Sequence, residues 1–192
     1  MPPSPADALS HDLRERANRI RLACFDVDGT LTDGRLLFDT AGRELKAFHV
    51  HDGQGLVLLR KCGITVAFVT ARASAVAEHR AAELGLEAHT GVADKLACVQ
   101  AIAARLGVGL DRVAFMGDDL PDLRIMAQVG LSIAPADAHA WVRDRVHWRT
   151  AACAGHGAAR ELSDLLLAAQ GHAERLLADA TRIEGTRLEG KA

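Results

Sequence analysis

The segment Cys24-Phe25-Asp26-Val27-Asp28-Gly29-Thr30 sets two carboxylates one residue apart, just after an apolar run and just before a glycine turn. Two anions at that spacing repel, and packing at a strand end gives nothing back for them. A divalent cation between them removes the conflict. A carboxylate that must attack an anionic group would explain them further, since Asp side chains serve as nucleophiles that form aspartyl-phosphate. Three more carboxylates follow in Gly117-Asp118-Asp119-Leu120-Pro121-Asp122. Magnesium takes a few such hard oxygens together with water and substrate phosphate. Lys95 opens a helical pattern, where the helix dipole disfavours a cation, so an anion is expected beside it. Each motif alone has a plainer explanation: an Asp-Gly turn, an Asp-rich helix cap, a solvated lysine paired with Asp94.

The elements that must position these residues bring them together. Apolar runs at 20–25, 64–69 and 112–116 show little polar alternation, as strands covered on both faces do. Shorter runs at 131–134 and 146–148 are further strands. Helical spacing fits 6–18, 53–61, 74–84, 95–106 and 158–169. Strands alternating with helices define an α/β fold with a Rossmann-like open parallel sheet. The three main strands end at Asp26 and Asp28, at Thr70 and Arg72, and at Gly117-Asp118-Asp119. Open α/β sheets bind ligands beyond the carboxyl ends of their strands, so three polar clusters converge on one crevice.

Residues 35–50 suggest a hairpin with strands at 36–39 and 44–50 around Ala41-Gly42. Its Leu37, Phe38, Leu45 and Phe48 are expected to be exposed. A lone two-stranded hairpin is marginal, so packing against other subunits of a symmetric oligomer is expected. On its second strand His49 and His51 would share a face. The predicted organisation is an N-terminal extension (1–18), one domain (19–170) with the flap at 35–50, and a polar tail (171–192).

A chain of 192 residues suits one domain with a real core, and a formal net charge of −2 gives no electrostatic case for nucleic acid or an anionic membrane surface. No apolar run reaches membrane-spanning length, and the proline-rich start lacks a basic region followed by an apolar one, so a cytoplasmic protein is expected. Cys24, Cys62, Cys98 and Cys153 lack metal-site spacing and predict reduced, mostly buried thiols.

Asp26-x-Asp28-Gly29-Thr30, Thr70, Lys95 and Gly117-Asp118-Asp119 together resemble the motifs of the haloacid dehalogenase (HAD) phosphotransferase superfamily. Glu44-Leu45-Lys46-Ala47-Phe48, His51-Asp52-Gly53-x-Gly55, Thr70-x-Arg72, Asp137-Ala138-His139 and Gly155-x-Gly157-Ala158-Ala159-Arg160-Glu161-Leu162 narrow the likeness. Over about residues 19–170 the chain is similar to the capless 3-deoxy-D-manno-octulosonate 8-phosphate (KDO 8-P) phosphatases. The resemblance implies a HAD fold with a flap but no cap domain, and a Mg²⁺-dependent hydrolase of a phosphorylated keto sugar acid. Asp26 would be the nucleophile and Asp28 the general acid and base. Thr70 would hold a phosphate oxygen and Lys95 would neutralise it. Asp26, Asp118 and the Asp28 backbone carbonyl would ligate the metal, with Asp119 or Asp122 holding its water. His49, His51, Asp52, Gly53, Arg72 and Arg80 would join Asp28 and Lys95 in contacting substrate. A homotetramer acting in lipopolysaccharide inner-core synthesis is implied as well.

Three departures stand out. His49-Val50-His51 replaces Asn-Val-(Arg/Lys), Val57 replaces a basic residue, and Ala71 replaces a glycine. A phosphatase of a nine-carbon keto acid 9-phosphate, or a non-catalytic oligomerising module, are the alternatives.

Overall fold

The computed structural model describes residues 10–181. Strand β1 (Leu22–Phe25) lies at the centre of the sheet, and two short strands, β2 (Leu37–Phe38) and β3 (Glu44–Leu45), form a separate hairpin. The sheet continues with β4 (Thr65–Val69), β5 (Glu87–His89), β6 (Val113–Met116), β7 (Leu131–Ala134) and β8 (Trp148–Arg149). Its order is β5-β4-β1-β6-β7-β8, with every pairing parallel.

Helices α1 (His11–Arg19), α2 (Val50–Lys61), α3 (Ala75–Leu84) and α7 (Ala158–Ala169) cover one face of the sheet. Helices α4 (Lys95–Arg105), α5 (Leu120–Met126) and α6 (Ala140–Arg143) cover the other. The two-residue period of β1 divides its side chains accordingly. Ala23 and Phe25 join the first layer, whereas Leu22 and Cys24 join the second. Both faces are therefore apolar, which is why the strands read as unbroken hydrophobic runs.

Most elements match the sequence reading, and the differences have local causes. Ile20 is the C-cap of α1, so β1 starts two residues late. Ser10 accepts the Leu13 N–H and starts α1 at His11, while 6–9 lie outside the described residues. β5 was unread because an edge strand of Glu-Ala-His, half-buried throughout, carries no apolar run. The final strand is β8 rather than 146–148, since His147 is taken up by bonds to Ser132. Helix α8 (Ala173–Thr181) occupies part of the expected polar tail, and its Leu176 packs against the core; Ile183 lies outside the described residues.

Only Leu37 and Phe38 pair in the flap, with Leu45 and Glu44 respectively, so the hairpin is shorter than 36–39 and 44–50. Asp39 builds its turn by accepting the N–H groups of Ala41 and Arg43 at 2.9 and 2.8 Å. Leu37, Phe38 and Leu45 are exposed, as expected, but Phe48 is half-buried against the core under the Arg80 guanidinium. The thiols also correct the reading: all four cysteines are free, yet only Cys24 is buried and Cys153 is exposed.

Candidate active site

The β1 ladder runs one residue past the strand, with the Asp26 N–H donating to Met116 O at 2.9 Å. The chain then folds sharply on Val27, whose carbonyl accepts the N–H groups of Thr30, Leu31 and Thr32 at 3.3, 2.9 and 3.0 Å. Gly29 sits at φ +85°, and a Cβ there would collide with the Asp118 carboxylate. Glycine is therefore what lets the β1 loop and the β6 loop approach each other.

At that junction the carboxylate oxygens of Asp26, Asp118 and Asp122 lie within 4.8 Å of one another. Lys95, buried at the start of α4, reaches in from the side. Its Nζ lies 2.9 Å from Asp26 Oδ1 and 2.5 Å from Asp122 Oδ1. Asp94, the partner that the plainer explanation of Lys95 required, instead caps α4 and pairs with Arg124. Asp122 is fixed by its other oxygen, which accepts the Asp118 and Asp119 N–H groups at 3.1 and 3.3 Å. Asp119 is the N-cap of α5, accepts the Leu120 N–H and lies outside the carboxylate cluster. Of the two second-motif candidates, Asp122 is thus the one the fold aims at Asp26.

Three buried or half-buried carboxylates against one ammonium leave an excess of negative charge. Asp118 and Asp26 are pushed toward their protonated forms. Burial, then repulsion from Asp26 and Asp122, pushes Asp118 up to about 7. Burial and Asp122 push Asp26 up to about 6, against the pull of Lys95. Burial works against the Lys95 charge too, but Asp26 and Asp122 outweigh it and raise its pKa. Asp26 Oδ1 is buried without a hydrogen-bond partner, with the Lys95 ammonium in ion-pair contact 2.9 Å away. An orphaned carboxylate oxygen inside an all-oxygen donor set suits a hard divalent cation.

This arrangement fixes a pH dependence. Carboxyls raised in the folded state bind more protons there than in the unfolded chain, so the metal-free protein loses stability as pH rises from about 4 to 7. A cation binds the ionised form and reverses the trend. Thermal unfolding with and without Mg²⁺ should therefore show a larger metal-induced gain at pH 8 than at pH 5.5. An equal gain at both would contradict the carboxylate assignment.

Thr70 is buried at the end of β4, and its Oγ1 accepts the Arg72 N–H at 3.4 Å. Asp28 points to the flap, where the Lys46 ammonium is in ion-pair contact with its Oδ1 and Arg72 Nε lies 3.5 Å from its Oδ2. Lys46 went unread as a site residue because a two-residue hairpin gives no sign of where its flank will fold. Glu44 accepts from Arg72 at 2.8 Å and from Ser74 Oγ at 2.7 Å. Burial alone would raise Glu44, but Ser74, Arg72 and Lys46 outweigh it and hold it down to about 2.

The remaining candidates are placed differently from the sequence expectation. Val50 opens α2, with His49 as N-cap and the Gly53 N–H donating to His49 O at 3.1 Å, so His49 and His51 do not alternate on a strand. Their rings still meet edge to face at 5.1 Å. Asp52 is buried, and its two oxygens accept the Gly157 and Arg160 N–H groups at 3.2 and 2.7 Å. It caps α7 across the fold, the negative charge meeting the positive end of that helix. Replacing it by Asn sets an NH₂ against one of those donors. Asp52→Asn should lower stability by about 1–3 kcal/mol in a denaturant titration, and an unchanged midpoint would refute the capping role. Gly53 leaves room for Arg80, which a Cβ would strike; Arg80 pairs with Glu83 at 2.7 Å and lines a small cavity with Phe48 and His49.

A strand-end carboxylate pair, a buried lysine and a second acidic loop thus meet at the carboxyl edge of an open parallel sheet, the place where such sheets bind ligands. Residues 86–162 match the family described as haloacid dehalogenase-like hydrolase. The chain is 43% identical over 163 residues to the 3-deoxy-D-manno-octulosonate 8-phosphate phosphatase of Yersinia pestis, covering 84% of this chain and 87% of that protein. A solved structure of a hypothetical protein from Xanthomonas campestris superposes with TM-score 0.93 at 55% identity, covering 95% of this chain and all of the other. The Moraxella catarrhalis phosphatase, solved with magnesium, phosphate and KDO, superposes with TM-score 0.87 at 36% identity over 90% of this chain and 99% of that one. The chain belongs to the 3-deoxy-D-manno-octulosonate 8-phosphate phosphatase family of haloacid dehalogenase-like hydrolases.

Proposed function

We propose that this protein hydrolyses KDO 8-P to KDO and inorganic phosphate with Mg²⁺ as cofactor. The observation that carries the reading is the buried meeting of Asp26, Lys95, Asp118 and Asp122 in a chain so similar to these phosphatases. Asp26, Asp118, Asp122 and the Asp28 carbonyl would hold the ion, which when bound offsets phosphate charge. An Asp26 oxygen attacks phosphorus in line while the bond to the sugar oxygen breaks and Asp28 protonates that oxygen. Asp28 then takes a proton from the water that attacks the aspartyl-phosphate, and the bonding pair returns to Asp26. Lys95 and the Thr70 hydroxyl meet the phosphate oxygens. Arg72, whose side chain is 42% exposed, keeps donors for the sugar-acid carboxylate, while Arg80 and His49, which line a small cavity, and His51, whose ring meets that of His49, would contact the rest of the sugar acid. Asp52 and Gly53 contribute by holding α7 and Arg80.

Catalysis resides in one unit, 19–170, with the flap at 35–50. Exposed Leu36, Leu37, Phe38 and Leu45 support a homotetramer in which flaps cover neighbouring sites. In sedimentation, Phe38→Asp should give smaller species; an unchanged oligomer would remove the flap from the interface. Lipopolysaccharide core synthesis in the cytoplasm is the setting we assign. Among the described residues no helix is long and apolar enough to cross a membrane.

The test is kcat/KM with Mg²⁺ on KDO 8-P, a nine-carbon keto acid 9-phosphate and simple sugar phosphates. A strong preference for KDO 8-P is expected. Preference for the nine-carbon acid would overturn the substrate, and no turnover of any, with no effect of EDTA, would overturn the enzyme.

A further inference from the structure

Among the described residues Lys46 has one of the most enclosed charged side chains, 2% exposed, although it belongs to a flap whose neighbouring Leu45 is 54% exposed. Burying an ammonium is costly unless its partners are held in place. Here they are. Glu44 Oε1 lies 3.1 Å from Lys46 Nζ, and Glu44 is itself tied by Arg72 and by Ser74, the N-cap of α3. The flap is thereby anchored to the rigid start of a helix, and the residue after its second strand is driven against Asp28.

The two oxygens of Asp28 then differ. Oδ1 carries the Lys46 contact, whereas Oδ2 is buried without a hydrogen-bond partner, with Arg72 Nε no nearer than 3.5 Å. A carboxyl fixed through one oxygen presents the other in a defined direction. We propose that Lys46, braced by Glu44, is a positioning residue that fixes Asp28 through Oδ1 and reserves Oδ2 for proton exchange with the leaving group. The inference rests on the reading of Asp28 as general acid and deepens it. Oδ2 gives its proton to the leaving oxygen as the phosphorus–oxygen bond breaks, and later takes one from water. Lys46 transfers no proton.

The effect is separable from general damage because proton donation matters most for poor leaving groups. We would measure kcat/KM, which reports the steps through departure of the alcohol, with Mg²⁺ on phenyl phosphates of graded leaving-group acidity. Wild type, Lys46→Met, Glu44→Gln and Asp28→Asn would be compared. Lys46→Met is expected to lose about 100-fold on unsubstituted phenyl phosphate and less than about 5-fold on p-nitrophenyl phosphate, steepening the dependence. Glu44→Gln should steepen it in the same sense, which keeps the test decisive should Lys46→Met fold poorly. A uniform loss across the series in both variants, or none, would overturn the proposal. If Asp28→Asn leaves the dependence unchanged, the reading of Asp28 fails and the proposal with it. If Asp28→Asn steepens it and the flap variants do not, only the proposal fails. Because the series contains no sugar acid, the outcome is independent of whether KDO 8-P is the substrate.

Discussion

Asp26→Asn should abolish turnover, lowering kcat by about 10⁴-fold or more, while the metal-free protein becomes at least as stable as wild type. The loss follows from chemistry, since an amide oxygen neither attacks phosphorus effectively nor leaves as a stable carboxylate, and loss of a nucleophile is among the largest single effects in enzymes. The stability follows from electrostatics. Asp26 is buried beside Asp122 and held up to about 6, so its charge destabilises the folded protein at neutral pH. Asn keeps the shape and removes the charge. Thermal unfolding in EDTA, beside phosphate release, checks both halves. Residual activity near wild type would remove Asp26 from the mechanism, and a large drop in stability would show that its charge is structural.

Lys95→Met should be damaging in a different way. Nζ is the one cation of the described residues in direct contact with both Asp26 and Asp122. Removing it leaves buried carboxylates without a partner, a change that costs about 3–5 kcal/mol when one half of a buried pair is deleted. Phosphate must then approach uncompensated anions, and kcat/KM should fall by about 10³-fold. Mg²⁺ affinity should hold or rise, because the carboxylates lose a competing positive charge. Isothermal titration beside kinetics separates the two effects. If Mg²⁺ binding vanished along with activity, Lys95 would be organising the metal site rather than the phosphate.

The site was legible from sequence where its parts stand at the ends of apolar strands. Asp26 and Thr70 follow β1 and β4 directly and Asp118 stands one glycine beyond β6, so naming the strands named the residues. Lys95 was legible for a related reason, a cation misplaced at a helix start. What sequence spacing could not express was contact between distant segments. Lys46 meets Asp28 across 18 residues because the flap folds back on itself. Asp52 meets the N-terminus of α7 across 105 residues, a capping contact that spacing gave no sign of. The histidine pair was put on a strand because the hairpin was read as running on to residue 50, whereas the helix starts there. In the fold, the packing of α2 on α7 and the Asp52 cap draw that segment into helix.

If phosphate passes through Asp26, the stereochemical course at phosphorus records it. Two successive in-line displacements each invert the centre, whereas a direct attack by water inverts it once. The substrate would be a phosphorothioate ester made chiral with oxygen isotopes, hydrolysed in isotopically labelled water. Net retention of configuration is expected in the released thiophosphate; net inversion would rule out the covalent intermediate and the role assigned to Asp26.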